Sequence, residues 1–294
     1  MAYEQGVLAI SENEETVLIF HQNGIRAKGA TALANALHRN TALTSLDLYG
    51  NMIGDDGATA IATALHVNTA LTKLNISCNY IGDEGATAIA MALHDNTTLT
   101  SLILGGNKIG AEGATALAMA LHVNTALTRL ILGYNDIRTD GATALATALL
   151  INTTLTRLSL CFNNIMTEGA TALATALQVN TTLSNLTLWH NKIGNEGAKA
   201  LSEALDTNMT VRDLSLFCRS DIRTEIDMKL QRNEDLYDAM FWQPAWHSDF
   251  PLLVHDLLVT TLLCNNDVDE KKLPRLPYVV WQQVFSFFTR RGFS

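Results

Sequence analysis

Residues 43–53 read Leu43-Thr44-Ser45-Leu46-Asp47-Leu48-Tyr49-Gly50-Asn51-Met52-Ile53. Leu46 and Leu48 alternate with polar residues, the pattern of a short strand with one buried face. The frame returns 28 residues later as Leu71, Leu74, Ile76, Asn79 and Ile81, and again from Leu99, Leu127, Leu155 and Leu183. Its asparagine recurs without slippage at Asn23, Asn51, Asn79, Asn107, Asn135, Asn163 and Asn191. A strict period of this length predicts a stacked repeat protein. Such units bury their apolar faces against their neighbours and build extended surfaces more readily than enclosed pockets.

Between strands the pattern changes period. After Gly29, the residues Ala30, Leu33, Ala34 and Leu37 fall at i, i+3, i+4 and i+7, one apolar face of a short helix. This spacing predicts a helix opened by Gly29 and ended by Asn40 in the left-handed conformation that helix C-termini favour. The frame degenerates at both ends. Glu15, Leu18 and Phe20 open the array; Val211, Leu214 and Leu216 close it, with Arg219 where asparagine is due. Atypical end units are what capping requires.

The frame LxxLxLxxNxI, followed by a Gly-Ala-rich helix, resembles a leucine-rich repeat of the ribonuclease-inhibitor-like class. The likeness covers about 200 residues, in six regular and two degenerate units. It implies an α/β fold: a leucine-rich-repeat solenoid curved as a horseshoe, with parallel strands on the concave wall and helices on the convex one. Strands stack about 4.8 Å apart and helices about 8–10 Å apart, so the helical side must fan out. The expected organisation is a repeat array over 1–232 and a helical C-terminal cap over 233–294. The repeated asparagine amide can both donate and accept, and is expected to satisfy backbone groups in the turn after each strand.

Bulk composition narrows the function. The chain is 48% hydrophobic but only 6% aromatic, so Leu and Ala must fill the core. A net charge of −9 argues against a nucleic-acid partner. Cys78, Cys161, Cys218 and Cys264 form no CxxC pair, which suits free thiols in a reducing compartment. The N-terminus has no basic start followed by an apolar run, so no signal peptide is read there. The apolar stretch from Pro251 to Cys264 is broken by His255 and Asp256, and no membrane span is expected. These features point to a soluble, cytoplasmic chain, and a monomer is the expectation. The sequons at Asn96, Asn152 and Asn180 recur with the repeat, so geometry explains them without a glycan.

Positions between the buried leucines vary while the frame holds. Ile103, Ile131, Tyr134, Phe162, Trp189 and Phe217 are expected to cluster on the concave face of the later units, beside Arg129 and Arg157. Exposed aromatics and Arg are the types enriched at binding hot spots, so these eight residues are the candidate protein-binding set. His38, His66, His94 and His122 form a second column near the helix ends. Helices about 8–10 Å apart cannot share a zinc ion that needs nitrogens at about 2.0–2.1 Å, so no metal is expected. No GxxxxGK[ST], HExxH or GxSxG motif is present, and the expectation is a protein with neither cofactor nor catalytic residues.

After Arg219 the period fails. Ile222 to Arg232 reads as a last helix, and from Asn233 the composition shifts toward tryptophan and proline. His247, His255 and Cys264 match no standard ligand spacing. Phe241, Trp242, Trp246 and Phe250 are expected to cover the last repeat. The segment 273–288 holds Leu273, Pro274, Leu276, Pro277, Val280, Trp281, Val284, Phe285, Phe287 and Phe288. It resembles the start of an F-box, especially the truncated F-box-like tails of viral ankyrin-repeat proteins. Pro277 would start a helix with Val280, Val284, Phe287 and Phe288 on one face. The resemblance implies docking to the Skp-type linker of a cullin ubiquitin ligase, inside a eukaryotic host cell. The chain thus reads as a non-enzymatic adaptor. The other readings are a plain binding or inhibitory module with a structural cap, and a regulator similar to the leucine-rich-repeat activators of the Ran GTPase, whose acidic tail this chain lacks.

Overall fold

The structure is a computed structural model that describes residues 2–13 and 15–241. The segment 273–288 and the aromatic residues from Trp242 onward lie outside the described residues. Helix α1 (Ala2–Glu12) comes first, and then strands and helices alternate. The strands are β1 (Val17–Ile19), β2 (Ser45–Asp47), β3 (Lys73–Asn75), β4 (Ser101–Ile103), β5 (Arg129–Ile131), β6 (Arg157–Ser159), β7 (Asn185–Thr187) and β8 (Asp213–Ser215). The helices between and after them are α2 (Arg26–Leu37), α3 (Gly54–Leu65), α4 (Asp83–Asp95), α5 (Ala111–Leu121), α6 (Arg138–Leu149), α7 (Thr167–Leu177), α8 (Gly194–Ala204) and α9 (Ser220–Phe241).

All eight strands form one parallel sheet in chain order, and every pairing keeps the 28-residue register, as in Leu46 opposite Leu74. This is the leucine-rich-repeat solenoid, and α9 follows it. Leu43, Leu46, Leu48 and Ile53 are buried, and so are the helical partners Ala30, Leu33, Ala34 and Leu37. One continuous core therefore lies between the sheet and the row of helices. Threonines stitch the strand entrances: Thr72 Oγ1 donates to Thr44 O at 3.0 Å, and Thr100 Oγ1 to Thr72 O at 3.1 Å.

The asparagine column after the strands is a ladder. Asn79 Oδ1 accepts the N–H of Asn51 at 2.8 Å and of Ile53 at 3.3 Å. Asn79 Nδ2 donates to Leu48 O at 2.8 Å and to Ser77 O at 2.9 Å. Each amide thus serves its own turn and the unit before it.

Two local expectations need correction. Asn40 does not sit in the left-handed region. It begins a second buried ladder, in which Asn68 Nδ2 donates to Leu37 O at 2.8 Å and Asn68 Oδ1 accepts from Leu71 N at 2.8 Å. The amide spans two units, and that outweighs a local C-cap. The sequon residues Asn96, Asn152 and Asn180 belong to this buried ladder. Gly29 does not open its helix; α2 begins at Arg26. Its column is set by packing: a Cβ on the equivalent Gly141 would lie 2.6 Å from Ile137 Cγ2 and 2.9 Å from Ala114 Cβ.

Both ends are capped by elements outside the repeat pattern. At the start, Gly6 of α1 lies so close to the Phe20 ring that a Cβ there would sit 2.1 Å from Cζ. At the other end, α9 begins at Ser220 and extends beyond Arg232, the expected end of the last helix. As far as Asp235 it belongs to the same compact unit as the array. Lys229 Nζ donates to Ser202 O at 3.0 Å and pairs with Asp206 at 2.7 Å and Glu225 at 2.6 Å. Arg232 donates to Leu205 O, and Asn233 Nδ2 donates to Asn208 O at 2.9 Å and Val211 O at 2.7 Å. Cationic donors on the last carbonyls of α8 complement its dipole and fill acceptors that a further repeat would have used.

Candidate protein-binding surface

Alternation in three-residue strands sends the central leucine into the core and its two neighbours to the open side of the sheet. That side is the inner wall. Across it runs a groove of 490 Å3 lined by, among others, Asp47, Lys73, Ile103, Arg129 and Arg157. One end of it, at Asp47, is electrostatically settled. His21 Nε2 lies 3.0 Å from Asp47 Oδ2, and Asn75 Nδ2 donates to the same oxygen at 3.0 Å. Burial pushes the Asp47 carboxyl up, but hydrogen bonds from His21, the Tyr49 N–H and Asn75 outweigh it and hold the carboxyl below its ordinary value. Beyond the groove, on β7 and β8, Asn185 Nδ2 donates to Asp213 Oδ2 at 3.1 Å.

Between these two pairs the wall is different. Arg129 and Arg157 stand directly opposite each other on β5 and β6. Both are exposed. Among the described residues neither side chain has an ion pair or hydrogen bond. Ile103 and Ile131 are likewise register partners, on β4 and β5, and both are half-buried.

Past the strands lies a position with a left-handed backbone in seven successive units: Gln22, Gly50, Cys78, Gly106, Tyr134, Phe162 and His190 have φ between 53° and 70°. Gly50 and Gly106 are the residues this conformation favours. A non-glycine residue there costs roughly 1–2 kcal/mol. Three consecutive units nevertheless place large rings on it. Tyr134 stacks on Phe162 at 4.1 Å, and Phe162 on His190 at 4.1 Å. Trp189 meets Phe162 edge-on at 5.0 Å, and Phe217 meets His190 edge-on at 4.9 Å. Tyr134 and Phe217 are more than half exposed.

Of the eight expected residues, the structure joins Tyr134, Phe162, Trp189 and Phe217 in one ladder. It sets Arg129 against Arg157 and Ile103 against Ile131. The link between Phe162 and Phe217 is His190, which lies outside the expected set. Its signal was position: it follows Phe162 by one period and Tyr134 by two.

The arrangement offers apolar ring edges and two uncompensated cations, the ingredients of recognition. On the convex side, His66 and His94 both approach Asp95, at 3.5 and 2.7 Å. No group of three metal-ligating side chains occurs among the described residues. No helix among them is long and apolar enough to cross a membrane.

The sequence matches the Leucine Rich repeat family over residues 39–62, 67–90, 95–118, 123–146, 152–174 and 179–202. No curated protein matches it. Similar solved structures include leiomodin-1 actin-binding site 2, at 18% identity over 80% of this chain and 91% of that one, with a TM-score of 0.34. Another is the C-terminal domain of tropomodulin from Caenorhabditis elegans, at 13% identity over 50% of this chain and 91% of that one, with a TM-score of 0.44. Six matched segments in phase with eight parallel strands identify the chain as a leucine-rich repeat protein.

Proposed function

We propose that the chain is a non-enzymatic, cytoplasmic protein-binding module of the ribonuclease-inhibitor-like class, acting as a monomer. It grips a protein with the inner wall of its later units. The contact set is Arg129, Arg157, Ile103, Ile131, Tyr134, Phe162, Trp189 and Phe217, with His190 added. The observation that carries this reading is the occupation of left-handed positions by Tyr134, Phe162 and His190. Gly50, Gly106, Gln22 and Cys78 fill the same position without rings; what sets these three apart is that all are aromatic and stacked, and backbone strain of this kind is kept where function requires it. Affinity capture by wild type and by the Tyr134→Gly/Phe162→Gly variant tests it. Partners should be lost from the variant and retained by a convex-face control, Thr147→Ser. Equal capture by all three would overturn the reading.

A second reading rests on the resemblance of Leu273–Phe288 to an F-box. Residues 233–294 would then act as a helical cap that recruits the Skp-type linker of a cullin ubiquitin ligase by helix-in-groove docking. Purified linker should bind wild type and fail to bind a Val284→Asp/Phe287→Asp variant. No binding to wild type would rule recruitment out.

A further inference from the structure

The Arg129–Arg157 pair identifies the kind of partner. Register places the two residues on adjacent strands, about 4.8 Å apart along the sheet. Like charges directly opposite each other are destabilising. Elsewhere in the same column the chain avoids this. Asp213 is answered by Asn185, and Asp47 in the neighbouring column by His21 and Asn75. With a net charge of −9, carboxylates are abundant, yet among the described residues none is set against the two guanidiniums. The unmet charge faces the groove.

Resting on the protein-binding reading above, we infer that the groove takes an acidic peptide segment of the partner. One of its carboxylates bridges Arg129 and Arg157, and an apolar side chain of the same segment lies against the ring ladder. Arginine suits this role because its planar donor fork matches carboxylate geometry. Spacing follows from the fold. Tyr134 is five residues beyond Arg129 and Phe162 five beyond Arg157; the strands end at Ile131 and Ser159, so the turn holds the rings closer than the roughly 17 Å of five extended residues. An extended peptide lying along the strands therefore carries its acidic and apolar anchors within about five residues of each other. Nucleic acid fits less well. The faces of Phe162 are already occupied by Tyr134 and His190, so the central ring offers no stacking platform. Asp47 and Asp213 bracket the cationic stretch and would repel a continuing line of phosphates.

Panning a display library of random linear peptides against the full chain tests this. Recovered peptides are then synthesised and titrated against wild type, Arg129→Gln/Arg157→Gln and Tyr134→Gly/Phe162→Gly, with oligothymidylate titrated in parallel. The expected peptides carry Asp or Glu within about five residues of a large apolar residue. Their affinity should weaken with salt and fall at least about tenfold in the arginine variant, the loss of one charge-assisted contact. Peptides that bind the arginine variant undiminished but fail on the ladder variant would overturn the acidic partner and leave the protein-binding reading intact. Peptides indifferent to both variants would overturn both. Tighter binding of oligothymidylate than of any peptide, or recovery of no peptide, would also overturn the inference.

Discussion

Asn79 receives on its side-chain oxygen the backbone N–H of Asn51, the same position one unit earlier, at 2.8 Å. The unit-to-unit bond is made by a side chain, so stability should depend on where in the array the asparagine lies. Asn79 is fully buried and makes four hydrogen bonds. Asn79→Ala leaves several buried backbone groups unsatisfied and should cost about 3 kcal/mol or more. Asn23 is exposed at the edge of the array, and its side chain makes one bond, to His21 O. Asn23→Ala should cost under about 1 kcal/mol. Urea denaturation of both variants measures the contrast; equal losses would count against the ladder.

Gly141→Ala should destabilise, although alanine favours a helix over glycine by about 1 kcal/mol. The new Cβ meets Ile137 and Ala114 at distances that real contacts do not show. Overpacking of this kind costs about 1–3 kcal/mol. A rise in thermal stability would show that the helices have room to part.

The C-terminal cap should weaken at both extremes of pH. Burial pulls the Lys229 ammonium down, but Asp206 and Glu225 outweigh it, so its folded pKa lies above 10.5. That contribution is fully present below 10.5 and is lost as pH rises through the folded value. Glu225, hydrogen-bonded first by Lys229 and then by Ser202, is held below 4.5. Its contribution is present above 4.5 and is lost as pH falls through the folded value. Lys229→Met should cost about 1.5 kcal/mol near neutrality and flatten both limbs of a melting-temperature profile against pH. An unchanged profile would remove the cap from the account.

Arg129→Gln should leave stability unchanged or raise it by about 0.2–1 kcal/mol, because the repulsion across β5 and β6 is removed. Chemical denaturation at low salt gives the clearest reading. Destabilisation by more than 1 kcal/mol would mean that the pair has a structural role.

What was legible in the sequence was whatever repeats. The frame at Leu43, Leu46, Leu48 and Asn51 specified strand, core and register because each unit restates it. Gly29 and Asn40 were misread because their columns answer to partners one unit away as well as to neighbours in the chain. Gly141 answers to Ala114, and Asn68 to Leu37. Helix α1 escaped notice because it carries no period; its fit depends on Gly6 meeting Phe20. Arg129, Tyr134 and Phe162 could be picked out as departures from the frame. That Tyr134 and Phe162 sit at left-handed positions was hinted only by Gly50 and Gly106 in the same column, and the choice of His190 required seeing the stack.

The most direct test is to measure stability and binding together on Tyr134→Gly/Phe162→Gly. Relief of roughly 1–2 kcal/mol of left-handed strain per residue offsets the lost ring stacking, about 0.5–1.5 kcal/mol per pair. The account predicts a fold within about 2 kcal/mol of wild type by urea denaturation, together with loss of partner capture. A large fall in stability with capture retained would contradict it, because the rings would then be serving the scaffold and not a partner.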